Sequence, residues 1–406
     1  MRIGLICQYF PPEVAPIGVM VEELAQDLTK TGNKVTIFTG YPNHPDGKLF
    51  SEYKCRINGS YEELSDGIIL RRNWLYISKS KSFTSRILNY LSFACSTIIS
   101  LLNRPQDIYL VVSPPLTNII ICLFIRLIGR RYVLNIQDIY PDAAITAGEL
   151  RNATIIKILK QLEMVGYRCA SYITVISKGF RSNLLSKGVM LDKLIMIPNW
   201  INAEEITPRS KLNPFSINHQ TSNKFVVLYS GTIGLVSGAG IITNVAELLK
   251  DKTEIVFMLV GQGPVKRAIE IEAEMRCLKN IRFLPFQTRE LLPDLLSSAS
   301  VGLVTIKPGY GGNSVPSKIL GYMAAGRPVI ASVDPLCDTW NLVTESNCGL
   351  CVLPGDPVTM ANAIRLLHNN TELARRLGMN GRSYLTKNFH RATVTNQYAK
   401  VLCNKN

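Results

Sequence analysis

The sequence has few of the side chains that proteins use to hold metal ions. Its four histidines are scattered, and no D-x-D pair of aspartates occurs. Cys348 and Cys351 form a C-x-x-C pair, but no second pair and no nearby histidine completes a zinc site. We therefore expect no bound metal, and we interpret the ten cysteines mostly as small core residues in a reducing compartment.

The first ten residues, MRIGLICQYF, lack the features of a secretory signal. They have the pattern of a short strand, without a long apolar core or an A-x-A cleavage site. The two most apolar segments, residues 87–102 and 116–128, both fall short of the ~20 apolar residues that a membrane-spanning helix needs. We therefore expect a cytoplasmic protein without a transmembrane helix.

The stretch before the first apolar segment interleaves aromatic and basic residues. Such a mixture is typical of helices that lie in the headgroup layer of a membrane. We predict peripheral binding to the inner membrane, with a core helix and a solvated charged flank as the alternative. The residues concerned are Trp74, Tyr76, Lys79, Lys81, Phe83 and Arg86.

Acidic residues are also scarce. The chain has 30 Asp and Glu against 45 Lys and Arg, a net charge of +15, which suits nucleic acid, anionic lipid or a phosphorylated substrate. The basic residues are dispersed and no nucleic-acid-binding motif occurs, so we expect no nucleic-acid partner. With 47% apolar and 18% charged residues, the chain is not intrinsically disordered.

Apolar runs of strand length alternate with helical patterns through most of the chain. They occur on both sides of a polar, proline-containing stretch at residues 203–224, which has the pattern of a linker or hinge. Continuous apolar strands separated by helices predict buried parallel sheets. We predict an α/β protein with two doubly wound, Rossmann-like domains facing each other across a cleft. The expected divisions are residues 1–205, residues 206–387, and a helix at 388–406 that crosses back to the first domain.

Residues 309–329, GYGGNSVPSKILGYMAAGRPV, have the pattern of a phosphate-binding turn. A strand leads into a loop with three glycines, and a helix is predicted at residues 316–325 with Asn313 or Ser314 as its cap. Unpaired backbone N–H groups and the positive end of the helix dipole meet in such a turn. Lys318, in the first turn of this helix, adds a full positive charge.

Glycines follow two further strands of the second half. Gly231, Thr232 and Gly234 lie in YSGTIG, directly after its first strand, and Gly261 lies in LVGQGP. The first loop departs from G-x-G-x-x-G and lacks the acid expected of a dinucleotide site. We expect it to let a diphosphate approach the backbone. For Gly261, a purely structural turn is an equal alternative.

In the first half, polar residues also follow strands. Glu13 and Gly18 lie in a proline-stiffened loop after strand one, His44 follows strand two, and Asp138 and Asp142 follow a later strand. The carboxyl ends of strands are where open sheets bind ligands. These side chains could position or deprotonate an acceptor hydroxyl, although solvated loop residues have the same pattern.

The motifs resemble those of one enzyme family. YSGTIG, LVGQGP, FLPFQTRELLPDLLSSASVGLVTIKP, VPSKILGYMAAGRPVIAS and NCGLCVLPGDPVTMANAI follow in the order and spacing of the donor domain of family 4 glycosyltransferases. YFPPEVAPIGVMVEELAQDLTKTGNKVTIFT, IQDIYPD, VISKGF and IPNWIN resemble the matching acceptor domain. The resemblance covers nearly the whole chain and is strongest to N-acetyl-L-fucosamine transferases of bacterial O-antigen and capsule clusters.

The resemblance implies a GT-B architecture, a UDP-sugar donor, no metal cofactor, and transfer with retention at the anomeric carbon. We therefore predict transfer of N-acetyl-L-fucosamine from UDP to a saccharide on undecaprenyl diphosphate, at the inner face of the membrane. A UDP-sugar 2-epimerase of the same two-domain architecture is the alternative enzyme, and a basic nucleic-acid-binding protein is the non-enzyme alternative.

The resemblance also assigns site residues. Its donor pattern has two glutamates, and their positions here hold Asn313 and Gly321. The second glutamate usually binds the ribose, so that role has no assigned residue in this chain. The expected donor-binding residues are Gly18, Gly231, Thr232, Gly234, Gly261, Phe286, Asn313, Ser314, Val315, Ser317 and Lys318, and the expected catalytic residues are Glu13, His44, Asp138 and Lys318.

Overall fold

The computed structural model describes residues 1–13, 15–80, 82–313 and 315–403. The chain divides into two compact units, each built on one mainly parallel sheet. Unit 1 comprises Met1–Pro198 and the chain from Ala392 onward, and unit 2 comprises Asn199–Arg391. The predicted α/β class with two Rossmann-like sheets is confirmed.

Unit 1 contains an eight-stranded sheet in the order β3-β4-β2-β1-β5-β6-β7-β8. Every strand is parallel to its neighbours except β3, which pairs antiparallel with β4 at the edge. The sequence analysis missed β3, because its residues SYEELS are polar and mostly exposed. The strands are β1 (Arg2–Ile6), β2 (Lys34–Gly40), β3 (Ser60–Ser65), β4 (Ile68–Asn73), β5 (Ile108–Ser113), β6 (Arg131–Ile136), β7 (Tyr172–Val175) and β8 (Leu194–Met196).

The helices of unit 1 pack on this sheet because their apolar faces cover its apolar strands. In the first helix, Pro16 occupies the first turn, where its fixed φ is compatible with a helix, and Val21, Leu24 and Leu28 face the core at helical spacing. The helices are α1 (Pro16–Lys30), α2 (Phe83–Asn103), α3 (Asn118–Leu127), α4 (Asp142–Thr146), α5 (Ala153–Cys169) and α6 (Lys178–Ser186).

The strand order places the ligand-binding edge of unit 1. The chain runs from β1 outward to β2 on one side and later resumes at β5 on the other, and both strands pair with β1. Such a reversal of strand order leaves a crevice at the carboxyl ends of the central strands. The loops after β1, β2 and β6, which carry the predicted acceptor-side residues, therefore all lie at this edge.

Unit 2 contains a six-stranded parallel sheet in the order β11-β10-β9-β12-β13-β14. Its four inner strands are buried along most of their length, as the continuous apolar runs predicted, whereas the edge strands β11 and β14 are mostly half-buried. The order reverses between β9 and β12, so the loops after these two strands border the crevice of this sheet. The strands are β9 (Phe225–Ser230), β10 (Ile255–Val260), β11 (Ile281–Leu284), β12 (Val301–Thr305), β13 (Val329–Ser332) and β14 (Gly349–Val352).

The helical sequence pattern is interrupted near the end of the chain, where one helix ends at Asn388 and the last helix begins at Arg391. The final helix packs within unit 1, where the Tyr398 hydroxyl accepts a hydrogen bond of 2.8 Å from Asn135 Nδ2. The remaining helices are α7 (Pro214–Asn218), α8 (Ile241–Leu248), α9 (Lys266–Met275), α10 (Leu292–Ser298), α11 (Lys318–Ala324), α12 (Asp338–Ser346), α13 (Pro357–Asn369), α14 (Thr371–Asn388) and α15 (Arg391–Cys403).

The prediction that residues 203–224 form a linker is wrong, because these residues are part of unit 2. They contain α7, which Asn213 caps by accepting from Ser216 N at 3.0 Å. Arg382 also donates to the carbonyl oxygens of Ala203 and Ile206 at 2.7 and 2.8 Å. The stretch is therefore bonded to the rest of unit 2 through its carbonyl groups.

Candidate active site

The two central strands of unit 2 separate toward their carboxyl ends. Strand β9 pairs with β12 only at Val227 and Leu228, although both strands continue beyond that point. The Tyr322 hydroxyl fills the gap, because it accepts from Ser230 N at 2.9 Å and donates to Leu228 O at 3.0 Å. Gly302 makes room for this side chain: a Cβ atom there would lie 2.3 Å from the Tyr322 ring. Sequence reasoning missed both residues.

Lys318 lies one helical turn before Tyr322 and reaches the same gap. Its Nζ is 3.3 Å from the centroid of the Tyr229 ring, and a Cβ atom at Gly231 would lie 3.5 Å from Nζ. Burial lowers the pKa of Lys318 to about 7. Within the described part of the chain, no carboxylate pairs with this ammonium group. The ammonium group therefore lies between an aromatic face and a glycine backbone.

The loops after β9 and β10 pack backbone against backbone. Gly231 N donates to Val260 O and Ile233 N donates to Gln262 O, each at 2.9 Å. Gly261 has φ +152°, and a Cβ atom there would lie 2.0 Å from Gly231 O. Gly261 therefore supports the Gly231 loop. Thr232 is exposed, and its carbonyl accepts from the Tyr229 hydroxyl at 2.8 Å.

Lys266 connects the loop after β10 to the end of β11. Its Nζ donates to Gly261 O and to Leu284 O, both at 2.9 Å, at the carboxyl ends of β10 and β11. This buried lysine is therefore bonded to backbone carbonyls, unlike Lys318. Phe286 follows β11 directly, so it lies at the same edge of the sheet.

The glycine loop before α11 is anchored by an acid that the sequence analysis did not select. Asp334 accepts from Gly309 N at 3.0 Å through Oδ1 and from Gly311 N at 2.9 Å through Oδ2. The two backbone N–H groups are thereby bonded within the protein. Asp334 follows β13, and nothing in its local pattern distinguishes it from an ordinary loop acid.

The predicted start of the helix after this loop is wrong. The helix begins at Lys318 with Ser317 as its N-cap residue, and no side chain caps it. Val315 is half-buried and Ser317 is exposed just before it. Ser314 lies outside the described residues, as does the side chain of Asn313. The Gly321 position is buried in α11, and a Cβ atom there would lie 3.2 Å from Leu296 Cδ1.

In unit 1, Glu13 connects the loops after β1 and β2. Its buried carboxylate accepts from the backbone N–H groups of Phe10, Asn43 and His44 at 3.2, 2.9 and 2.8 Å. Burial raises the pKa of Glu13, although these three bonds act in the other direction. Gly18 lets α1 approach the first loop, since a Cβ atom there would lie 2.9 Å from Tyr9 O. Glu13, Gly18 and His44 therefore form one cluster.

Burial shifts the pKa values of His44 and Asp138 in opposite directions. The His44 ring packs on Tyr9 with ring centroids 4.9 Å apart, and burial lowers its pKa, so the imidazole is neutral at pH 7. Burial raises the pKa of Asp138 to about 7. Asp138 follows β6, three strand positions from β2, so it stands apart from the His44 cluster. Asp142 pairs with Lys187 at 2.8 Å.

The predicted membrane residues are only partly described. Lys79 is exposed, and Arg86 pairs with Glu149 at 3.1 Å. Trp74 is half-buried, and its carbonyl accepts from Ser96 Oγ at 2.5 Å. Lys81 lies outside the described residues, as does the side chain of Phe83.

Helix α2 is longer than expected because it begins at the Ser82 cap, ahead of the apolar run. The mean hydropathy of residues 84–103 is 1.3, and 28% of the segment is buried. By length and composition alone, this segment is long and apolar enough to cross a membrane. The expectation that this segment is too short was therefore wrong. Among the described residues, no group of three or more His, Cys, Asp and Glu is placed to hold a metal ion. The expectation of no metal cofactor stays a prediction.

The chain is similar to known glycosyltransferases in both units. Residues 17–200 match the model described as "Glycosyl transferase 4-like domain", and residues 224–370 match "Glycosyl transferases group 1". A protein of Escherichia coli K12 named as the colanic acid biosynthesis glycosyl transferase WcaI is 27% identical over 389 residues. The match covers 92% of this chain and 95% of WcaI.

Solved structures share the fold over the full length. Sucrose-phosphate synthase from Thermosynechococcus elongatus has a TM-score of 0.76 at 20% identity, with 98% of each chain covered. HepE of Anabaena, solved in complex with UDP-glucose, has a TM-score of 0.74 at 15% identity, with 99% of each chain covered. The matched domains and the shared fold show that the chain belongs to the GT-B glycosyltransferases of the group 1 and 4-like families.

Proposed function

We propose that this glycosyltransferase moves N-acetyl-L-fucosamine from UDP to a saccharide on undecaprenyl diphosphate, for O-antigen or capsule synthesis. The anionic diphosphate of the donor binds at Lys318 and the Gly231 loop. The observation that carries this assignment is the Lys318 ammonium, which meets an aromatic face and a glycine backbone and has no carboxylate partner among the described residues. The UDP-glucose complex of HepE and the name of WcaI support the donor class and the polysaccharide pathway.

In this proposal the acceptor binds at the carboxyl edge of the unit 1 sheet. The bond between the anomeric carbon and the diphosphate breaks with its electron pair going to UDP, and the acceptor oxygen bonds to that carbon with retention. Asp138, with a pKa of about 7, is suited to take the acceptor proton. Lys318 stabilises the leaving diphosphate without a metal cofactor. The enzyme works at the cytoplasmic face of the inner membrane.

The test is a transfer assay with a panel of UDP-sugars and lipid-linked N-acetylglucosamine, followed by mass spectrometry. We expect a product one deoxyhexosamine heavier with UDP-N-acetyl-L-fucosamine, unchanged by a metal chelator, and with NMR showing the donor's anomeric configuration. Absence of transfer with every donor would overturn the proposal. Release of a free epimeric sugar nucleotide without acceptor would instead assign the chain as an epimerase.

A further inference from the structure

Helix α2 has apolar residues on its outer side as well as on its buried side, where Phe93, Ala94 and Leu101 lie. The side chains of Leu88, Ile99 and Leu102 are 52%, 62% and 61% exposed, and Cys95 is exposed between them. These residues recur every three, four or seven positions, so they form one stripe along the helix. An ordinary surface helix of a globular protein has its apolar stripe only toward the core, with polar residues on the opposite face.

The buried side of α2 is bonded to the sheet through polar side chains. Ser100 Oγ accepts from Arg71 Nε at 3.1 Å and donates to Asn73 Oδ1 at 2.6 Å. Thr97 Oγ1 accepts from Asn73 Nδ2 at 3.1 Å. These bonds fix the rotation of the helix about its axis, so the apolar stripe cannot turn inward.

Further hydrogen bonds join α2 to the segment after β4. Asn89 Nδ2 donates to Tyr76 O at 2.7 Å, and Ser92 Oγ accepts from Tyr76 N at 2.8 Å. A helix that is bonded along one side to a sheet is not surrounded by lipid, although its length and composition are sufficient to span a membrane. Contact with lipid is therefore limited to the outward stripe, which is the geometry of an interfacial helix.

Two neighbouring helices continue this surface. Helix α3 packs against both α2 and α5, and Leu127 at its end is 82% exposed. On α5, Ile158 and Val165 are exposed. We define the outward surface of α2, α3 and α5 as the apolar-basic layer.

The charges of the apolar-basic layer have one sign. Helices α2 and α3 contain no Asp or Glu, and the single acid of α5, Glu163, is buried and bonds Lys187 at 2.6 Å. The exposed charged residues of these helices are Arg126, Lys157, Lys160 and Arg168, together with Arg86, which pairs with Glu149. Apolar side chains beside basic ones match the acyl boundary and the headgroups of an anionic membrane.

We propose that the apolar-basic layer docks flat on an anionic lipid bilayer, with the α2 stripe inserted at the acyl boundary and the basic residues at the headgroups. The inference deepens the proposed function, since it names the surface that brings the enzyme to a lipid-linked acceptor. Its test measures lipid binding without any substrate. Its failure would therefore leave the transfer reaction standing, and a failed transfer assay would leave the docking surface standing.

The first experiment is co-sedimentation of the full chain with phosphatidylcholine vesicles, with and without phosphatidylglycerol. We expect binding to the anionic vesicles that weakens as salt is raised. Combining Leu88→Ser, Ile99→Ser and Leu102→Ser should lower the vesicle partition coefficient by about tenfold or more, because the inserted apolar area is lost. The matched control combines Leu248→Ser, Ile271→Ser and Met275→Ser, which removes exposed apolar side chains of unit 2.

Charge is tested in the same assay. Combining Lys157→Glu with Lys160→Glu should weaken binding to anionic vesicles by about tenfold or more, and Lys250→Glu with Lys252→Glu gives the same change of net charge in unit 2. Thermal melts establish that each variant is folded. Equal losses in the layer variants and their controls, or no binding by the parent protein, would overturn the proposal.

Insertion is tested with a fluorophore. Cys95 lies on the α2 stripe and Cys277 is an exposed cysteine of unit 2. An environment-sensitive probe on Cys95, with Cys277→Ser, should shift to the blue when anionic vesicles are added, whereas a probe on Cys277, with Cys95→Ser, should not. A blue shift at Cys95 that depends on protein concentration and not on lipid would assign the stripe to a second copy of the chain and overturn the proposal.

Discussion

Glu13 in unit 1 and Lys318 in unit 2 are charged side chains at the carboxyl edges of their sheets, and the two charges are compensated differently. Glu13 in unit 1 has three backbone N–H donors around its carboxylate. Lys318 in unit 2 has the face of Tyr229 and, in the described ranges, no carboxylate. The comparison teaches that burial alone does not mark a functional charge. A charge whose bonds are already made supports the fold, whereas one with bonds left to make is suited to bind a ligand.

Replacing Lys318 should have the largest effect. Lys318→Ala should lower kcat/KM for the UDP-sugar, because the diphosphate loses its positive partner. The loss should correspond to on the order of 2 to 4 kcal/mol of transition-state stabilisation. Steady-state kinetics at saturating acceptor measure this loss. Lys250→Ala removes an exposed lysine of the same unit and should leave kcat/KM unchanged. Equal kinetics for the parent and Lys318→Ala would remove Lys318 from the site.

Replacing Glu13 should instead affect stability. Glu13→Gln keeps the shape but puts an amide N–H against a backbone N–H, so the free energy of unfolding should fall by about 1 to 3 kcal/mol. Urea denaturation measures this change. UDP affinity should be the same as in the parent, because the donor loops are in unit 2. A variant of unchanged stability but abolished transfer would show that the carboxylate acts in the chemistry.

The pH dependence of UDP binding tests whether Lys318 must carry its proton to bind the diphosphate. The pKa of Lys318 in the free enzyme is about 7, so the proton is increasingly absent above that pH, and a bound diphosphate raises the pKa again. The Kd for UDP should therefore rise up to about tenfold per pH unit above pH 7, until the pKa of the complex is reached. Calorimetry from pH 6 to about 9 measures this slope. Lys318→Arg should give a flat profile, since arginine stays charged.

Loss of Asp334 should have the smallest effect of the four. Asp334→Ala removes the acceptor for Gly309 N and Gly311 N, and each such bond is worth about 1 kcal/mol. We expect KM for the UDP-sugar to rise severalfold with little change in kcat, because the loop before Lys318 loses its anchor. Asp334→Asn keeps one acceptor oxygen, so its KM should lie between those of the parent and Asp334→Ala. A change in kcat alone would contradict a positioning role.

Local patterns predicted most of the two sheets. The apolar run IVFMLV matches β10 over its whole length, because buried parallel strands are apolar throughout. Strand β3 was missed because it lies at a sheet edge, where SYEELS stays polar. Helix α11 begins two residues after its predicted start, and Ser317 precedes it without a side-chain capping bond.

The contacts that shape the site could not be predicted from local patterns. The Tyr322 hydroxyl bonds to backbone groups of β9, more than ninety positions away in sequence, and Gly302 is needed to admit its ring. Lys266 and Lys318 are both lysines near glycine loops, and only the three-dimensional contacts separate them. The composition of α2 predicted an apolar helix, but which face is turned outward depends on Arg71 and Asn73 of β4.

Docking through the outward stripe on α2 would place the enzyme on the same two-dimensional surface as a lipid-linked acceptor. A protein held in the plane of a bilayer meets lipid-linked sugars by lateral diffusion, so its turnover depends on acceptors per unit area and not per unit volume. Adding inert anionic lipid to the same vesicles, at a constant total amount of acceptor, should then slow transfer. A chain with the α2 stripe replaced by serine would lose this sensitivity to surface dilution.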